Sequence, residues 1–499
     1  MHLSLFIPEI ALAVTAVLVT LLDLFVGQRY RNYVLPGVSL AGLIVAGVFA
    51  VTIWGDSHPA LFNNMLAVDN YAIFFKLLFA GAAFLVILAS ADYARKFERF
   101  QGEYYALILI STLGMFLMAA ATDLISLYVS LELTSISLYV LVGFLKDRKS
   151  TESALKYLLL GAIASAVLLY GMTLIFGVTG QTQLTAITQS LHETPLASSA
   201  GNPALIMGIV LLIAGFGFKI AAVPFQMWVP DVYEGAPTTI TAFLSVASKA
   251  AGFAIILRVF FTAFGTPIWL SHEWGMIFAV LSVISMTIGN VVAIPQTNIK
   301  RMLGYSSIAQ AGYLMVGLAA TGAAAMGLSS SSPGSFSPFR GESSLLFFLA
   351  SYALTNLGAF IAIIAISHKI DSDMIADYAG MGKRAPLLAL ALTLCLVSLI
   401  GMPPAAGFMA KFYIFSAAAD NGLLWLVIIA AVNSVISAYY YLRVVKVMWF
   451  EEAALPEKIP SSIAPRVALI ICSLGVLLLG VIPGLVMKLA ELAGSMFTF

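Results

Sequence analysis

The chain has 499 residues, of which 61% are apolar and only 10% are charged, and its 25 basic side chains nearly balance its 24 acidic ones. An average soluble domain carries roughly 25% charged residues, so these few charges cannot cover the surface of a soluble protein of this length. The composition excludes a water-soluble enzyme, a disordered chain and a nucleic-acid-binding protein, and it indicates a polytopic membrane protein.

Long continuous apolar runs predict an all-α membrane protein. A helix needs about 20 predominantly apolar residues to cross the hydrocarbon core, whereas barrel strands are shorter and alternate. This rule predicts fourteen transmembrane helices, numbered as spans one to fourteen in chain order. The predicted spans are 3–26, 33–54, 69–91, 104–121, 123–145, 153–177, 204–231, 237–262, 274–294, 299–321, 343–368, 386–418, 422–450 and 463–490.

Basic residues are concentrated in the odd-numbered loops, although loop seven has none. The even-numbered loops offer only Arg340, with Arg258 near a helix end. Lysine and arginine collect in cytoplasmic loops, so we expect a bacterial inner (plasma) membrane protein with both termini on the non-cytoplasmic side. The basic residues of the odd loops are Arg29, Arg31, Arg95, Lys96, Arg99, Lys146, Arg148, Lys149, Lys300, Arg301, Lys369, Lys383, Arg384, Lys458 and Arg466.

Two spans are predicted to be interrupted helices. The run 386–418 would be about 50 Å long as one helix against a core of about 30 Å, and it contains Pro403 and Pro404. The run 204–231 contains Pro224. Broken helices are tolerated only where protein or a water-filled cavity satisfies the freed backbone groups, and they often mark ion sites.

Two short patterns indicate an internal repeat. Residues 215–219 and 407–411 share the pattern G-F-x-x-K, and residues 139–143 and 313–317 share a Y-x-x-V-G pattern. These matches pair spans seven with twelve and five with ten, which are five helices apart and run in opposite directions. We therefore expect two inverted five-helix repeats, with the chain divided into 1–103, 104–262, 263–450 and 451–499.

Four ionisable residues lie deep in predicted spans. They are Glu132 in span five, Lys219 at the break of span seven, Lys249 in span eight and Lys411 after the break of span twelve. A charge inside a span is a functional hypothesis by default. The alternative is that interhelical ion pairs only fix the packing, which is a costly way to do so. Lys156, about one turn into span six, either extends to the headgroups or lies near Glu132.

Desolvation in general lowers the pKa of a lysine and raises that of a glutamate, which brings both toward neutral pH. The four deep residues therefore predict proton handling, with hydroxyl side chains that hold connecting waters.

Other charged residues are expected to be structural or interfacial. Asp231 and Glu234 are predicted in the loop before Pro237. The residues expected to be structural or interfacial are Glu9, Asp23, Lys76 and Asp123.

The cysteines and histidines offer no site for a redox cofactor. Cys395 and Cys472 each lie in an apolar run, and the five histidines lie at or near the ends of such runs. No CxxC pair is present, and no mid-membrane histidine pair could ligate a haem. We expect neither a metal nor a cofactor in this chain, so any electrons must be handled elsewhere.

Four segments carry a resemblance to a known family. They are FGFKIAAVPFQMWVPDVYEGAPTT at 216–239, FLSVASKAAGF at 243–253, NIKRMLGYSSIAQ at 298–310 and GMPPAAGFMAKF at 401–412. Over nearly its whole length the chain resembles the subunit N family of bacterial NADH-quinone oxidoreductase (complex I), called subunit 2 in mitochondria.

The resemblance implies an antiporter-like, proton-translocating translocase subunit without a redox cofactor. It implies a hydrated axis of Glu132, Lys156, Lys219, Lys249 and Lys411. Related subunits often have a histidine in helix eleven, where this chain has Tyr352, Thr355 and Asn356. The resemblance therefore implies a middle relay of water and hydroxyls.

The resemblance also implies partners and leaves an alternative. The expected partners are antiporter-like and small hydrophobic membrane-arm subunits, lipid and protons, with quinone reduction in other subunits. A subunit of a multi-subunit Na⁺/H⁺ antiporter remains the alternative, and a stand-alone transporter is weaker. The segment 228–237 favours the quinone-reducing complex, and neighbouring genes would discriminate between the two.

Overall fold

The structure is a computed structural model that describes residues 3–55, 58–97, 100–193, 202–265, 268–324, 340–452 and 462–495. Within these ranges the chain forms helices joined by loops, with a few isolated β-bridges between loops. Two residues of the predicted basic loops, Arg99 and Lys458, lie outside the described residues, as does His2.

Each predicted span coincides with a helix or with two helix halves. Twelve helices in the described ranges are long and apolar enough to cross a membrane; the other two positions hold α10, which is rich in small and polar residues, and the divided α12. The helices are α1 Ile7–Phe25, α2 Gln28–Thr52, α3 Asn70–Tyr93, α4 Gln101–Ala120, α5 Leu124–Val142, α6 Arg148–Thr179, α7a Pro203–Ile220, α7b Trp228–Gly235, α8 Thr238–Phe264, α9 Ile268–Ala293, α10 Ile299–Ala324, α11 Gly341–Ile370, α12a Pro386–Ile400, α12b Ala406–Asp420, α13 Leu424–Phe450 and α14 Ile463–Val481.

Three local features differ from the predicted spans. A connecting helix, Leu184–Glu193, follows α6 and buries Leu184, Ile187 and Leu191 on one face. The predicted last span ends early, because α14 stops at Val481 and a separate helix, Gly484–Gly494, begins after Pro483. Short amphipathic helices of this kind were missed because the search for spans rewards only long apolar runs.

The even-numbered loops meet at one end of the bundle. The backbone of Leu66, before α3, pairs with Ala121, before α5. Asp123 pairs with Gln183, and the Gln183 amide donates to the Asn63 carbonyl at 2.9 Å. Loops two, four and six therefore share one face of the molecule, as alternating membrane crossings require.

The odd-numbered loops meet at the opposite end. Asn298, before α10, pairs with Met374, after α11. The Lys149 ammonium in the first turn of α6 lies 2.9 Å from the Glu234 carboxylate of α7b. Loops five, seven, nine and eleven therefore form the second face.

Small residues allow the closest helix contacts. A Cβ on Gly289 of α9 would lie 2.6 Å from the Ala309 backbone nitrogen of α10, and one on Gly312 would lie 2.6 Å from the Met286 nitrogen. Lipid provides no hydrophobic drive for helices to associate, so close backbone packing supplies the contact energy instead. The result is a tight α9–α10 pair beside α8, whose most apolar stretch is completely buried.

Candidate functional site

Lys219 is buried at the end of α7a, where the helix stops. The next residue but one, Ala221, adopts the left-handed conformation with φ of 62° and caps the helix. The Lys219 ammonium donates a hydrogen bond to the Ser135 hydroxyl of α5. The break therefore places a lysine beside a neighbouring span at depth.

Glu132 lies one helical turn before Ser135 on α5, so the two side chains share a face. Its carboxylate accepts a hydrogen bond from the Ser165 hydroxyl of α6, and its side chain is only partly buried. Glu132 is close enough to Lys219 for their charges to interact. A direct contact within 4 Å between the two is not among the ion pairs of the described residues.

Lys249 is buried in α8, directly after a π-helical turn at Leu244–Ser248. Its ammonium donates to both the carbonyl and the hydroxyl of Ser307 in α10. The Ser307 hydroxyl also lies within hydrogen-bonding distance of the Tyr233 and Tyr352 hydroxyls, at 3.2 and 3.3 Å. π-helical turns are rare in proteins, and those that occur often lie at functional sites.

Lys411 is buried on α12b and reaches back to the other half of the broken helix. Its ammonium donates to the carbonyls of Leu399 at 3.2 Å and Ile400 at 2.8 Å, and to the Ser434 hydroxyl at 2.7 Å. Those carbonyls end α12a and lack partners in the next turn, because the helix stops at Gly401 with φ of 92°. The break thus creates the acceptors that hold the lysine.

A small cavity lies between Lys411 and helix α11. Its volume of about 10 Å³ is roughly the space that one water molecule needs. Hydroxyl and amide groups line much of it, so a water there has hydrogen-bond partners. The lining residues include Gln310, Ser351, Tyr352, Thr355, Ser398 and Lys411.

The polar residues predicted on helix eleven link α11 to its neighbours. The Thr355 hydroxyl lies 3.1 Å from that of Ser398 on α12a, and the Asn356 amide donates to the Ser245 hydroxyl of α8 at 2.7 Å. Helix α11 therefore connects the Lys249 region with the Lys411 region through polar side chains.

The three predicted break prolines all lie in non-helical segments. Pro224 is in the seven-residue gap between α7a and α7b, whereas Pro403 and Pro404 lie between α12a and α12b. The repeat pattern falls on opposite sides of the two breaks, because Lys219 precedes its break and Lys411 follows its own.

Lys156 bonds to carboxylates, unlike the buried lysines. Its side chain is 44% exposed, and its ammonium lies 2.9 Å from Glu152 and 2.8 Å from Asp231. Of the two interpretations of Lys156, its geometry matches the one in which it extends to the membrane surface. Asp231 and Glu234, predicted in a loop, instead belong to α7b, since the residues from Trp228 complete two helical turns.

An ion-pair network on the odd-loop face ties α7b to α6 and α10. Arg301 contacts Asp231 at 2.7 Å and Glu234 at 3.0 Å, and Lys149 adds a second cation to Glu234. Burial acts to raise the pKa of the Asp231 carboxyl, but hydrogen bonds from Lys156 and Arg301 outweigh it and hold that pKa below its ordinary value. Burial is outweighed at Glu234 too, because hydrogen bonds from Lys149 and Arg301 lower its pKa.

Two buried or partly buried ion pairs contrast with the hydroxyl and carbonyl partners of Lys219, Lys249 and Lys411. Glu9 and Lys76 form a fully buried pair at 2.6 Å between α1 and α3. Asp69 binds Arg258 through both carboxylate oxygens, at 2.6 and 3.1 Å. The first pair joins α1 to α3, and the second joins the start of α3 to α8.

Sequence reasoning missed the acceptors of the buried lysines. Ser307, Ser434 and the carbonyls that end α12a receive the hydrogen bonds. The pattern of Ser306 and Ser307 side by side in a membrane helix was the only available signal, and serines in such helices mostly bond to the preceding turn.

The described residues contain no group of three or more His, Cys, Asp or Glu side chains that could hold a metal ion. Cys395 and Cys472 are both buried and lie close to Gly358. An iron–sulfur cluster that is held by cysteines alone requires four of them.

Within the described residues, helices at the fourteen predicted positions, two broken helices and three buried lysines without a carboxylate partner are typical of an antiporter-like membrane subunit. The family model described as NADH:quinone oxidoreductase/Mrp antiporter, TM, matches residues 121–437. Subunit N of NADH-quinone oxidoreductase from Dehalococcoides mccartyi is 52% identical over 493 residues, which cover 98% of this chain and 99% of the relative. The subunit N of Trichlorobacter lovleyi is 44% identical over 99% of this chain and 97% of its own length.

A solved structure is similar over the same length. A chain of respiratory complex I from Thermus thermophilus with bound aureothin superposes with a TM-score of 0.77 at 33% identity, covering 96% of this chain and 98% of that one. The chain belongs to the subunit N family of NADH-quinone oxidoreductases.

Proposed function

We propose that this chain moves protons across the membrane along an axis of Glu132, Lys219, Lys249 and Lys411. It would act as a membrane-arm subunit of a quinone-reducing complex, in which NADH or another donor is oxidised by other subunits. Its partners would be the antiporter-like and small hydrophobic subunits of that arm. Lys156 would lie at the odd-loop end of the axis, within the surface network.

One observation carries this proposal. Within the described part of the chain, Lys219, Lys249 and Lys411 are all buried and bond only to hydroxyl and carbonyl oxygens, without a carboxylate within 4 Å. Lysines of that kind can gain and lose a proton without breaking an ion pair. Purely structural lysines, such as Lys76, instead have a fixed carboxylate partner.

The contacts of these groups support two parts of a path, one from Glu132 to Lys219 and one from Lys249 toward Lys411. Glu132 and Lys219 are joined through α5, Lys249 bonds to α10, and the cavity beside α11 separates that region from Lys411.

The proposed units are an N-terminal segment at 1–103, inverted repeats at 104–262 and 263–450, and a final part at 451–499.

The proposed location is the bacterial plasma membrane, with both termini on the non-cytoplasmic side. The odd loops share one face of the bundle, and their excess of lysine and arginine favours the cytoplasm. We propose that no cofactor binds in this chain.

The function is tested with the purified complex in sealed vesicles. The complex with Lys249→Ala should assemble normally and lose most redox-driven proton uptake. Normal uptake by this variant would contradict the proposal. The subunits that co-purify provide a separate test, because small antiporter subunits in place of iron–sulfur subunits would favour Na⁺/H⁺ exchange.

A further inference from the structure

The Ser307 hydroxyl of α10 is the meeting point of three side chains from three other helices. Lys249 of α8 donates to it, and the hydroxyls of Tyr233 on α7b and Tyr352 on α11 lie 3.2 and 3.3 Å away. All four side chains are buried. A single oxygen in contact with one amine and two phenols is positioned to exchange protons among them.

We propose that Ser307 is a proton-relay residue between Lys249 and Tyr352. The inference rests on the proposed function and assigns the step between the lysine of α8 and the lysine of α12b. Tyr233 is a positioning residue, because it holds the Ser307 hydroxyl from the α7b side.

The hydroxyl group suits this step because it can both donate and accept. It has one proton to donate and two lone pairs that accept, whereas an ammonium only donates. With Lys249 protonated, the Ser307 oxygen accepts from the lysine and from the Tyr352 hydroxyl, and its own proton can point to the Tyr233 oxygen. With Lys249 neutral, the Ser307 hydroxyl can donate to the amine nitrogen.

The proton balance of the transfer is simple. A proton passes from Tyr352 Oη to Ser307 Oγ, the direction in which the tyrosine donates, while the Ser307 hydroxyl proton passes to the neutral Lys249 Nζ. Tyr352 Oη in turn receives a proton from a water in the adjoining cavity, and that water receives one from the Lys411 ammonium. Each oxygen gains one proton and loses one, so the net change is a proton moved from Lys411 to Lys249.

The path continues toward Lys411 through the cavity beside α11. Tyr352 and Lys411 both line that cavity, whose volume of about 10 Å³ corresponds to roughly one water. A water there would accept from the Lys411 ammonium and donate to the Tyr352 hydroxyl oxygen. Ser307 and Tyr352 thus complete the connection between the two lysines.

The experiment compares Ser307→Ala with Ser307→Thr in the intact complex, reconstituted in vesicles. Ser307→Ala should lose most redox-driven proton uptake, because alanine has no hydroxyl. Ser307→Thr should keep it, because threonine retains the hydroxyl. Tyr352→Phe should lose uptake as well. Ser306→Ala is the matched control, because the adjacent hydroxyl bonds to Tyr441 away from Lys249.

The outcomes separate this inference from the proposed function. If Lys249→Ala loses uptake but Ser307→Ala does not, the relay assignment is wrong and the function stands. If Ser306→Ala loses as much as Ser307→Ala, or if threonine does not restore uptake, Ser307 is only structural. If both Lys249→Ala and Ser307→Ala pump normally, the proposed function itself fails.

Discussion

At the scale of the residue, the proposed function distinguishes a transporting lysine from a structural one by the nature of its partner. Lys76 contacts the Glu9 carboxylate at 2.6 Å, whereas Lys411 contacts two carbonyls and a hydroxyl. Both side chains are buried in the membrane-spanning part of the chain. The two lysines therefore offer a matched comparison in one molecule.

Lys411→Arg should strongly reduce coupled proton pumping, because arginine cannot release its proton in a protein. Lys76→Arg should pump normally, since that lysine only has to remain a cation beside Glu9. The measurement is proton uptake per quinone reduced in reconstituted vesicles. Full activity of Lys411→Arg would mean that Lys411 is only a fixed charge.

The positions of the deep charges could be predicted from sequence, but their partners could not. Glu132, Lys219 and Lys411 stand out because a charge inside an apolar run is rare. Ser307 does not stand out, because hydroxyls in membrane helices commonly bond their own backbone, as Ser130 does to the Ser126 carbonyl at 2.7 Å. Only the hydrogen bond from Lys249 of α8 distinguishes Ser307 from such serines.

At the scale of the element, the two helix breaks have different uses. The break after α7a creates a short helix, α7b, whose carboxylates enter the surface network. The break in α12 creates free carbonyls that hold Lys411. Proline placement predicted both interruptions, but it could not predict that Asp231 and Glu234 lie in a helix and contact Arg301.

Arg301→Gln should destabilise the complex at neutral pH and lose that effect in acid. Arg301 helps to lower the pKa of Asp231 and Glu234, so the stability that it provides is present above the ordinary carboxyl pKa of about 4 and disappears as both groups protonate. Thermal unfolding of the purified complex from pH 7 downward measures the difference. A penalty that is unchanged at low pH would contradict this account.

Gly289→Ala should separate α9 from α10, because the new Cβ would lie 2.6 Å from a backbone nitrogen. Overpacking of this kind typically costs about 1–3 kcal/mol. Gly47→Ala is the control, since a Cβ there meets nothing within 4 Å. Equal thermal stability of the two variants would show that the close approach is not required.

At the scale of the whole molecule, the contacts between loops set the two faces. The crossings could be predicted from apolar length, but the meeting of loops five, seven, nine and eleven depends on ion pairs between distant residues, such as Lys149 with Glu234. The excess of basic residues predicts which face is cytoplasmic.

Labelling of intact cells with a membrane-impermeant maleimide tests the orientation. Gln181→Cys lies on the even-loop face and should react, whereas Arg148→Cys lies on the odd-loop face and should react only after the membrane is opened. Both positions are exposed, and the native Cys395 and Cys472 are buried. The reverse pattern would place the termini in the cytoplasm.

The central claim is that protons pass through Glu132 and the buried lysines. The most direct measurement is redox-driven proton uptake by vesicles that contain the complex with Lys219→Ala or Glu132→Ala. We expect the complex to assemble in both cases and coupled pumping to be abolished or strongly reduced. Assembled variants that pump as well as the unmodified complex would contradict the account.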